Sequence, residues 1–163
     1  MNTNDNKPAQ PLIFVICGRQ GSGKTTMAKQ LLNNSNMPGV ILDVNNEYDH
    51  SKNICFTDFK YFRQYLPEVT NSFIIVEEAT AFLNAYKVLD ITNLLIRVRH
   101  QRNVMLFCFH SLQDCPDYIL RLSSFMWLAE TNDDAKKLEQ SRPKFYPYFI
   151  GKKPIWIDLN KIN

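Results

Sequence analysis

The segment GRQGSGKT, residues 18–25, combines glycines with a lysine and a hydroxyl side chain. Gly18, Gly23, Lys24 and Thr25 occupy the fixed positions of the pattern G-x-x-x-x-G-K-[ST]. Such a loop needs residues that tolerate unusual backbone angles, because its N–H groups must converge on phosphate oxygens, and three of the chain's five glycines lie here. We therefore predict a loop that binds ATP, with Lys24 on the β- and γ-phosphates and Thr25 on Mg²⁺. The predicted nucleotide contacts are Gly18, Arg19, Gln20, Gly21, Ser22, Gly23, Lys24, Thr25 and Thr26.

A pair of acids follows the apolar run FIIV. Glu77 and Glu78 come directly after Val76, and a carboxylate at the end of a buried strand is costly unless it has a partner or a task. Beside a phosphate loop, the first acid is expected on the Mg²⁺ side with Thr25, and the second is expected to orient or deprotonate the attacking water. Enrichment of acids at the start of a helix is the alternative interpretation. We assign Glu77 to the metal and Glu78 to catalysis.

A basic cluster precedes the next apolar run. Arg97, Arg99, His100 and Arg102 lie within the segment RVRHQRN. A helix carboxyl end favours cations in any protein, so a solvated helix end is one explanation. The functional hypothesis is an arginine finger, Arg99 or Arg102, that reaches the γ-phosphate of a neighbouring subunit. The run VMLFCF then ends at His110, which is either a catalytic group near the γ-phosphate and the attacking water or a buried, satisfied histidine.

The elements that must position these residues alternate along the chain as short apolar runs and helical stretches. This alternation implies an α/β fold whose mostly parallel sheet is covered on both faces and binds ligands beyond the carboxyl ends of its strands. The predicted strands are Leu12–Cys17, Val40–Leu42, Asn53–Phe56, Phe73–Val76, Val104–Phe109 and Phe125–Leu128. The predicted helices are Lys24–Asn33, Asp58–Leu66, Thr80–Tyr86, Val88–Arg102 and Pro116–Leu122. A C-terminal β-hairpin is predicted from Phe145–Ile150 and Ile155–Leu159.

Length and composition limit the number of domains, the presence of a membrane segment and the redox state of the cysteines. The chain has 163 residues, a formal net charge of +3 and four cysteines. We predict a single domain over residues 12–163, preceded by a polar tail, residues 1–11, that we expect to be disordered. No apolar run approaches the about 20 residues that span a bilayer, so no membrane segment is predicted. The cysteines show no C-x-x-C pair and no metal-type clustering with histidine, which indicates reduced thiols in a cytoplasmic protein.

Four motifs in a fixed order carry a resemblance to a known family. GRQGSGKT, LDVNNEYD, FIIVEEA and RVRHQRNVMLFCFHS resemble the motifs of the FtsK–HerA superfamily of DNA-pumping ATPases, and within it the small viral genome-packaging ATPases. The resemblance covers residues 12–130. The phosphate loop alone is shared with many families, whereas Asp43 with Glu47 and Tyr48 is more selective. The sequence departs from the family at His110, where members usually carry glutamine.

The resemblance implies a three-layer P-loop NTPase fold of the RecA/ASCE type, in which Val104–Phe109 lies between Leu12–Cys17 and Phe73–Val76. It implies an ATP-hydrolysing DNA translocase that pumps a viral genome into a capsid, and a homo-oligomeric ring, expected to be a hexamer, whose arginine acts in trans. The implied ligands are ATP and Mg²⁺. The implied partners are DNA, contacted mainly through its backbone phosphates, and a capsid or portal-vertex protein. Such a protein works in the host cytoplasm or in association with the virion.

Other functions stay open from the sequence alone. One is a nucleotide-type P-loop kinase, although Asp133–Lys144 is short for a lid over two substrates. Another is a filamentous-phage assembly ATPase of the zonula-occludens-toxin type, a class that shares the arginine–histidine stretch but usually carries a membrane segment. A third is a binding module that uses nucleotide only as a switch. The basic and aromatic residues of Lys144–Trp156 are either a grip on a nucleic-acid strand or an edge hairpin packed on the sheet.

Overall fold

A computed structural model describes residues 12–83, 95–98, 100–128 and 155–158 of the chain. Seven strands lie within these ranges: β1 Leu12–Cys17, β2 Gly39–Leu42, β3 Ile54–Phe56, β4 Phe73–Val76, β5 Val104–Phe109, β6 Phe125–Leu128 and β7 Ile155–Asp158. The described α-helices with both ends in view are α1 Lys24–Ser35, α2 Phe59–Tyr65, α3 Ala79–Phe82 and α4 Asp117–Leu122. Residues 95–98 are also helical, and single 3₁₀ turns lie at Leu66–Glu68 and Leu112–Asp114.

The seven strands form one sheet in the order β3-β2-β4-β5-β1-β6-β7. The first six are parallel to their neighbours, and β7 is antiparallel to β6. β5 therefore lies between β1 and β4, as the resemblance implies. Cys17 pairs with Phe109, and Val76 pairs with Phe107. The residues that follow β1, β4 and β5 consequently meet at one edge of the sheet.

Successive side chains of the central strands enter two different cores, because neighbouring residues of a strand point to opposite faces. Ile75, Leu106 and Cys108 pack with Ala28 and Leu32 of α1 in one core. The alternate residues of the same strands pack with the other helices on the opposite face. That second core includes Ile74, Val76, Phe107, Phe109, Phe62, Leu95, Val98 and Ile119. The molecule thus has the three layers expected for a parallel sheet covered on both faces.

Most predicted elements form close to their predicted bounds, and two of the differences at helices have a visible cause. α2 begins at Phe59 because Asp58 caps it, its side chain accepting a hydrogen bond from the Lys60 N–H at 2.7 Å. The predicted helix Thr80–Tyr86 does not continue through Leu83, and residues 84–86 lie outside the described residues. α3 begins one residue earlier and ends at Phe82, because the backbone leaves the helical region at Leu83, where φ is −105° and ψ is 69°.

The C-terminal hairpin falls partly outside the described residues. Its predicted second strand forms as β7, which pairs with β6. Its predicted first strand, Phe145–Ile150, and the predicted tail, residues 1–11, lie outside the described residues. The structure has four free cysteines, of which Cys17, Cys108 and Cys115 are buried.

Candidate active site

The loop of residues 18–23 connects β1 to α1 at the carboxyl edge of the sheet. Gly21 and Gly23 have φ angles of 78° and 91°, which side-chain-bearing residues rarely adopt. The Gly18 N–H donates to the Phe109 carbonyl at 3.1 Å, which ties the start of the loop to the end of β5. α1 begins at Lys24 with no side-chain cap and no acid in its first turn. Its first N–H groups and the positive end of its dipole are therefore available to an anion.

Two polar side chains of the loop are suited to a phosphate ligand. The Lys24 ammonium donates to the carbonyl oxygens of Gly18 at 2.8 Å and Arg19 at 3.2 Å, so it lies directly against the loop backbone. The Ser22 hydroxyl is buried and has no hydrogen-bond partner in the part of the chain that the structure describes. A buried hydroxyl without a partner is unfavourable, so a phosphate oxygen that accepts from Ser22 would remove that cost.

The segment after β2 folds around the carboxylate of Asp43, which is 1% exposed. Its two oxygens accept from the N–H of Glu47 at 2.8 Å and the N–H of Tyr48 at 3.0 Å. Asn46 has a left-handed conformation with φ of 54°, which completes the turn. The turn carries Glu47 to the phosphate loop, where the Thr25 hydroxyl donates to its Oε2 at 3.1 Å. Glu47 is thus a carboxylate in direct contact with the hydroxyl that is predicted to bind Mg²⁺.

Glu77 is buried behind this contact and is 5% exposed. Its Oε1 accepts from the Tyr48 hydroxyl at 2.6 Å, and the Cys108 thiol also hydrogen-bonds its carboxyl group. Burial raises the pKa of Glu77, the charges of Glu47 and Glu78 raise it further, and the two hydrogen bonds oppose the rise. Burial and the charge of Glu77 raise the pKa of Tyr48, so its hydroxyl stays protonated and donates. Among the described residues, Glu77 therefore bonds to Tyr48 and Cys108 rather than to Thr25.

Glu78 adopts a left-handed backbone conformation with φ of 52° and turns its side chain to the end of β5. Its Oε2 lies 2.6 Å from Nε2 of His110, so the two side chains share a hydrogen bond. The His110 N–H donates to the Thr80 hydroxyl at 3.1 Å. The side chains of His110 and Glu78 are 39% and 31% exposed, so the pair is open to water. Left-handed non-glycine residues cost on the order of 1–3 kcal/mol and cluster at functional sites.

Arg102, the candidate finger that the structure describes, lies away from this edge. Arg102 is exposed, has φ of 55° and stands in the turn that leads into the amino end of β5. β5 has six residues, so about 16–20 Å of strand separates Arg102 from His110 at its other end. Arg97 is exposed on the helical residues 95–98, and Arg99 lies outside the described residues.

The structure thus brings the phosphate loop, Glu77, Glu78 and His110 to one edge of the sheet and leaves Arg102 at the other. The sequence analysis assigned no chemical role to Glu47 or to Tyr48. Both stand in LDVNNEYD, the motif on which the resemblance partly rests, so the signal was present in the sequence. What the sequence did not show is that the turn around Asp43 would direct Glu47 to Thr25 and Tyr48 to Glu77.

The fold is similar to that of several solved P-loop proteins. The genome packaging NTPase B204 from Sulfolobus turreted icosahedral virus 2, solved in complex with ATP-gammaS, has a TM-score of 0.73 and 14% identity, with 95% of each chain covered. The RadB recombinase has a TM-score of 0.52 and 14% identity, with 71% of this chain and 73% of that chain covered. The N-terminal domain of zonular occludens toxin from Neisseria meningitidis has a TM-score of 0.50 and 20% identity, with 77% of this chain and 80% of that chain covered.

No protein-family model matches the chain, and a comparison with curated proteins finds no match. The structural comparisons establish the P-loop NTPase fold, and they confirm at the level of fold the resemblance to viral genome-packaging ATPases. In the part of the chain that the structure describes, no helix has the length and apolar character needed to cross a membrane.

Proposed function

We propose that the protein is an ATP-hydrolysing DNA translocase, and specifically a motor that pumps a viral genome into a capsid. The observation that carries the proposal is the meeting of three groups at one sheet edge: the phosphate loop, Glu78 with His110, and Glu47 with Thr25. The likeness in fold to a viral genome packaging NTPase, over nearly the whole of both chains, supports the finer assignment.

The phosphate loop fits a nucleoside triphosphate. Lys24, Ser22 and the first N–H groups of α1 supply donors and positive charge at the end of β1. A triphosphate presents several anionic oxygens to such a cradle, and each hydrogen bond to a charged oxygen is stronger than a neutral one. ATP is the nucleotide we propose, in keeping with the motif and with the ATP analogue that was bound to B204.

We assign the hydrolysis of ATP to Glu78, which follows β4 at the same sheet edge as the phosphate loop. Its carboxylate takes a proton from a water molecule while the water oxygen bonds to the γ-phosphorus, and the bond to the β–γ bridging oxygen breaks to give ADP and phosphate. His110 holds Glu78 Oε2 at 2.6 Å and so fixes the direction of the carboxylate. The proton then passes from Glu78 to solvent, because the side chain is partly exposed.

Mg²⁺, when bound, neutralises charge on the phosphates and is held by hydroxyl and carboxylate oxygens. Thr25 and Glu47 fit that ion, because their oxygens are 3.1 Å apart at the mouth of the phosphate loop. Glu77 is proposed to act on the same ion from its buried position after β4, because it lies close enough to Glu47 to sense the charge of that carboxylate. Tyr48 joins the two acids, donating to Glu77 from the residue next to Glu47.

Ring assembly and DNA contact are proposed from the placement of the basic residues. Arg102 lies at the opposite sheet edge from the loop of its own subunit, so it reaches a phosphate loop only in a neighbouring copy. A head-to-tail contact closes into a ring when the rotation between neighbours divides a full turn, and the ring that we propose is a hexamer. DNA contact through backbone phosphates predicts binding that weakens as salt concentration rises. A capsid or portal-vertex protein is the proposed docking partner, in the host cytoplasm or on the virion.

The test combines phosphate release with light scattering. We expect the protein to form a ring, to release phosphate from ATP, and to release it faster when double-stranded DNA is added at low salt. A Lys24→Ala variant, which lacks the loop ammonium, is the matched negative control. A strict monomer that phosphorylates a nucleoside and ignores DNA would identify a kinase and overturn the proposal. A ring that binds ATP without any turnover would identify a nucleotide-dependent switch.

A second candidate is an ATPase that assembles or extrudes filamentous phage. It is favoured by the likeness in fold to the N-terminal domain of zonular occludens toxin, at 20% identity. Separate assays with single-stranded and with duplex DNA are used to distinguish the two functions. Stimulation by single-stranded DNA with no response to duplex DNA would favour this second candidate.

A further inference from the structure

Three potential metal ligands from different parts of the β2–β3 connection lie together. They are the carboxylate of Asp43, the imidazole of His50 and the thiol of Cys55, and their ligand atoms all lie within 4.8 Å of one another. Oδ2 of Asp43 and Nε2 of His50 are 3.1 Å apart. No metal-type clustering of cysteine with histidine is visible in the sequence, because these ligands are separated along the chain and only the fold assembles them.

Sheet register places Asp43 and Cys55 on the same face. Ile41 pairs with Cys55 across the parallel strands β2 and β3, and the Asp43 N–H extends the ladder by donating to the Phe56 carbonyl at 2.7 Å. Ile41 and Asp43 are two residues apart, so their side chains point to the same side of the sheet. The Cys55 side chain packs on that side too, against the core that contains Ile41.

The carboxylate of Asp43 is held in place independently of His50. The N–H groups of Glu47 and Tyr48 each donate to one of its oxygens, at 2.8 and 3.0 Å. Each carboxylate oxygen has two lone pairs, so Oδ2 can accept the Tyr48 N–H and still bind a cation. Outer hydrogen bonds of this kind orient metal ligands in proteins and strengthen their hold on the metal.

We propose that Asp43, His50 and Cys55 form a binding site for one divalent transition-metal ion of the zinc type. A thiolate, an imidazole and a carboxylate oxygen form a mixed set that suits Zn²⁺ and Co²⁺, whereas Mg²⁺ prefers oxygen ligands alone. Three protein ligands leave a fourth, tetrahedral position for water. The site is open to solvent on the side of His50, whose side chain is 48% exposed.

Binding at this site requires two proton movements. The Cys55 thiol must release its proton to solvent, because the thiolate is the form that binds the metal. His50 must present the lone pair of Nε2 to the metal and carry its hydrogen on Nδ1. Metal binding therefore releases protons and becomes tighter as pH rises.

A metal at this site would fix the segment of residues 43–55 at both ends. That segment carries Glu47, whose Oε2 accepts from Thr25. If the proposed function holds, occupancy of the site would steady the carboxylate on the Mg²⁺ side of the phosphate loop. This consequence rests on the proposed function, but the existence of the site does not.

Titration of the tag-free, metal-free protein with Co²⁺ in the absence of nucleotide tests the site directly. We expect one equivalent to bind and to give a thiolate-to-cobalt charge-transfer absorption, together with tetrahedral visible bands. The absorption should disappear in Cys55→Ser. His50→Ala should weaken binding by more than about tenfold, since even outer-shell partners of metal ligands contribute 10–100-fold. His100→Ala, which removes an exposed histidine elsewhere, is the matched control and should leave the titration unchanged.

Alkylation of Cys55 gives a second readout that does not depend on spectroscopy. Cys55 is the one cysteine of the chain that is not buried, so a maleimide reagent should modify it first. Bound Zn²⁺ should slow that modification at least about tenfold in the wild type. In His50→Ala, Zn²⁺ should not slow it. No absorption change with Co²⁺, an absorption that persists in Cys55→Ser, or equal binding by His50→Ala would each overturn the proposal. Because no nucleotide is present, these results test the metal site independently of whether the protein hydrolyses ATP.

Discussion

At the scale of single residues, the carboxylates near the phosphate loop fall into different environments. Asp43 is buried and accepts two backbone N–H groups, so it organises a turn. Glu77 is buried against Tyr48 and Cys108. Glu47 is exposed and contacts Thr25, whereas Glu78 is partly exposed and contacts His110. The buried acids, Asp43 and Glu77, thus bond to the protein itself, whereas the more exposed acids, Glu47 and Glu78, are the ones that we propose act on Mg²⁺ and water.

The first residue-scale prediction concerns Glu78. Glu78→Gln keeps the shape of the side chain but removes the base, so we expect turnover to fall by roughly 10²–10⁴-fold while ATP binding is retained. Single-turnover phosphate release and equilibrium binding of a fluorescent ATP analogue measure the two quantities separately. Unchanged turnover in this variant would remove Glu78 from the catalytic role.

The second residue-scale prediction concerns Glu47, which contacts the Thr25 hydroxyl that is expected to bind Mg²⁺. Glu47→Gln should raise the Mg²⁺ concentration needed for half-maximal binding of a non-hydrolysable ATP analogue by about tenfold, by analogy with the loss of outer-shell metal contacts. Calorimetric titration at several Mg²⁺ concentrations gives that value. Glu68→Gln changes an exposed acid in the 3₁₀ turn after α2 and serves as the control. If both variants behave alike, Glu47 has no part in the metal site.

The third residue-scale prediction follows from the raised pKa of Glu77. A carboxyl whose pKa is raised by folding favours the folded state at low pH, and that contribution is lost as pH rises through the folded-state pKa. Glu77→Gln, which mimics the protonated form, should therefore be more stable than the wild type at neutral pH, by on the order of 1 kcal/mol. The difference should vanish as pH falls below the usual range of glutamate. Urea unfolding at pH 4 and pH 7 measures it, and a pH-independent difference would contradict this account.

At the scale of elements, the loops at the two edges of the sheet have different roles. Those at the carboxyl edge carry the site, and those at the amino edge join the strands. Asn103, just before β5, is 4% exposed and links two such loops. Its Oδ1 accepts from the Ser72 N–H at 3.0 Å, and its Nδ2 donates to the Val69 carbonyl at 2.8 Å. One side chain thus joins the starts of β4 and β5, on which Glu78 and His110 depend.

The element-scale prediction is that Asn103→Ala lowers stability without changing the site. Truncation leaves the Ser72 N–H and the Val69 carbonyl buried without this partner, so we expect a loss of about 2 kcal/mol in the free energy of unfolding. Gln101→Ala removes an exposed hydrogen bond to the Pro67 carbonyl and should cost much less. Urea unfolding measures both. ATP affinity should stay unchanged, since these residues lie at the opposite edge from the phosphate loop.

At the scale of the whole molecule, the sheet separates the candidate finger from the loop that it would serve. Arg102 and the phosphate loop lie at opposite edges, so we expect Arg102→Ala subunits to regain activity when mixed with Lys24→Ala subunits. The same mixing experiment with Arg99→Ala tests the other arginine that the sequence offers as a finger. In randomly mixed rings of equal composition, about a quarter of the interfaces join an intact loop to an intact arginine. Phosphate release across a series of mixing ratios measures the recovery. No recovery at any ratio, with mixed rings shown by mass spectrometry, would contradict action in trans.

The sequence determined the order of elements and the loop that we propose binds phosphate. Buried strands of a parallel sheet are unbroken apolar runs, and a glycine-rich turn with lysine and threonine has few other uses, so β1, α1, β4 and β5 were predictable from local pattern. The acids after β4 and His110 after β5 were predictable for the same reason, because parallel strands bring their carboxyl ends together.

Only the tertiary structure decided the partners of those residues. The contacts of Glu47 with Thr25, Tyr48 with Glu77, and Glu78 with His110 join segments far apart in the chain, and side-chain direction after a turn is not encoded in spacing. The Asp43, His50 and Cys55 cluster arises in the same way, from strand pairing and a turn. The sequence therefore specified which chemical groups are present, whereas packing specified which of them meet, because hydrogen bonds between distant segments depend on the sheet order that the whole chain adopts.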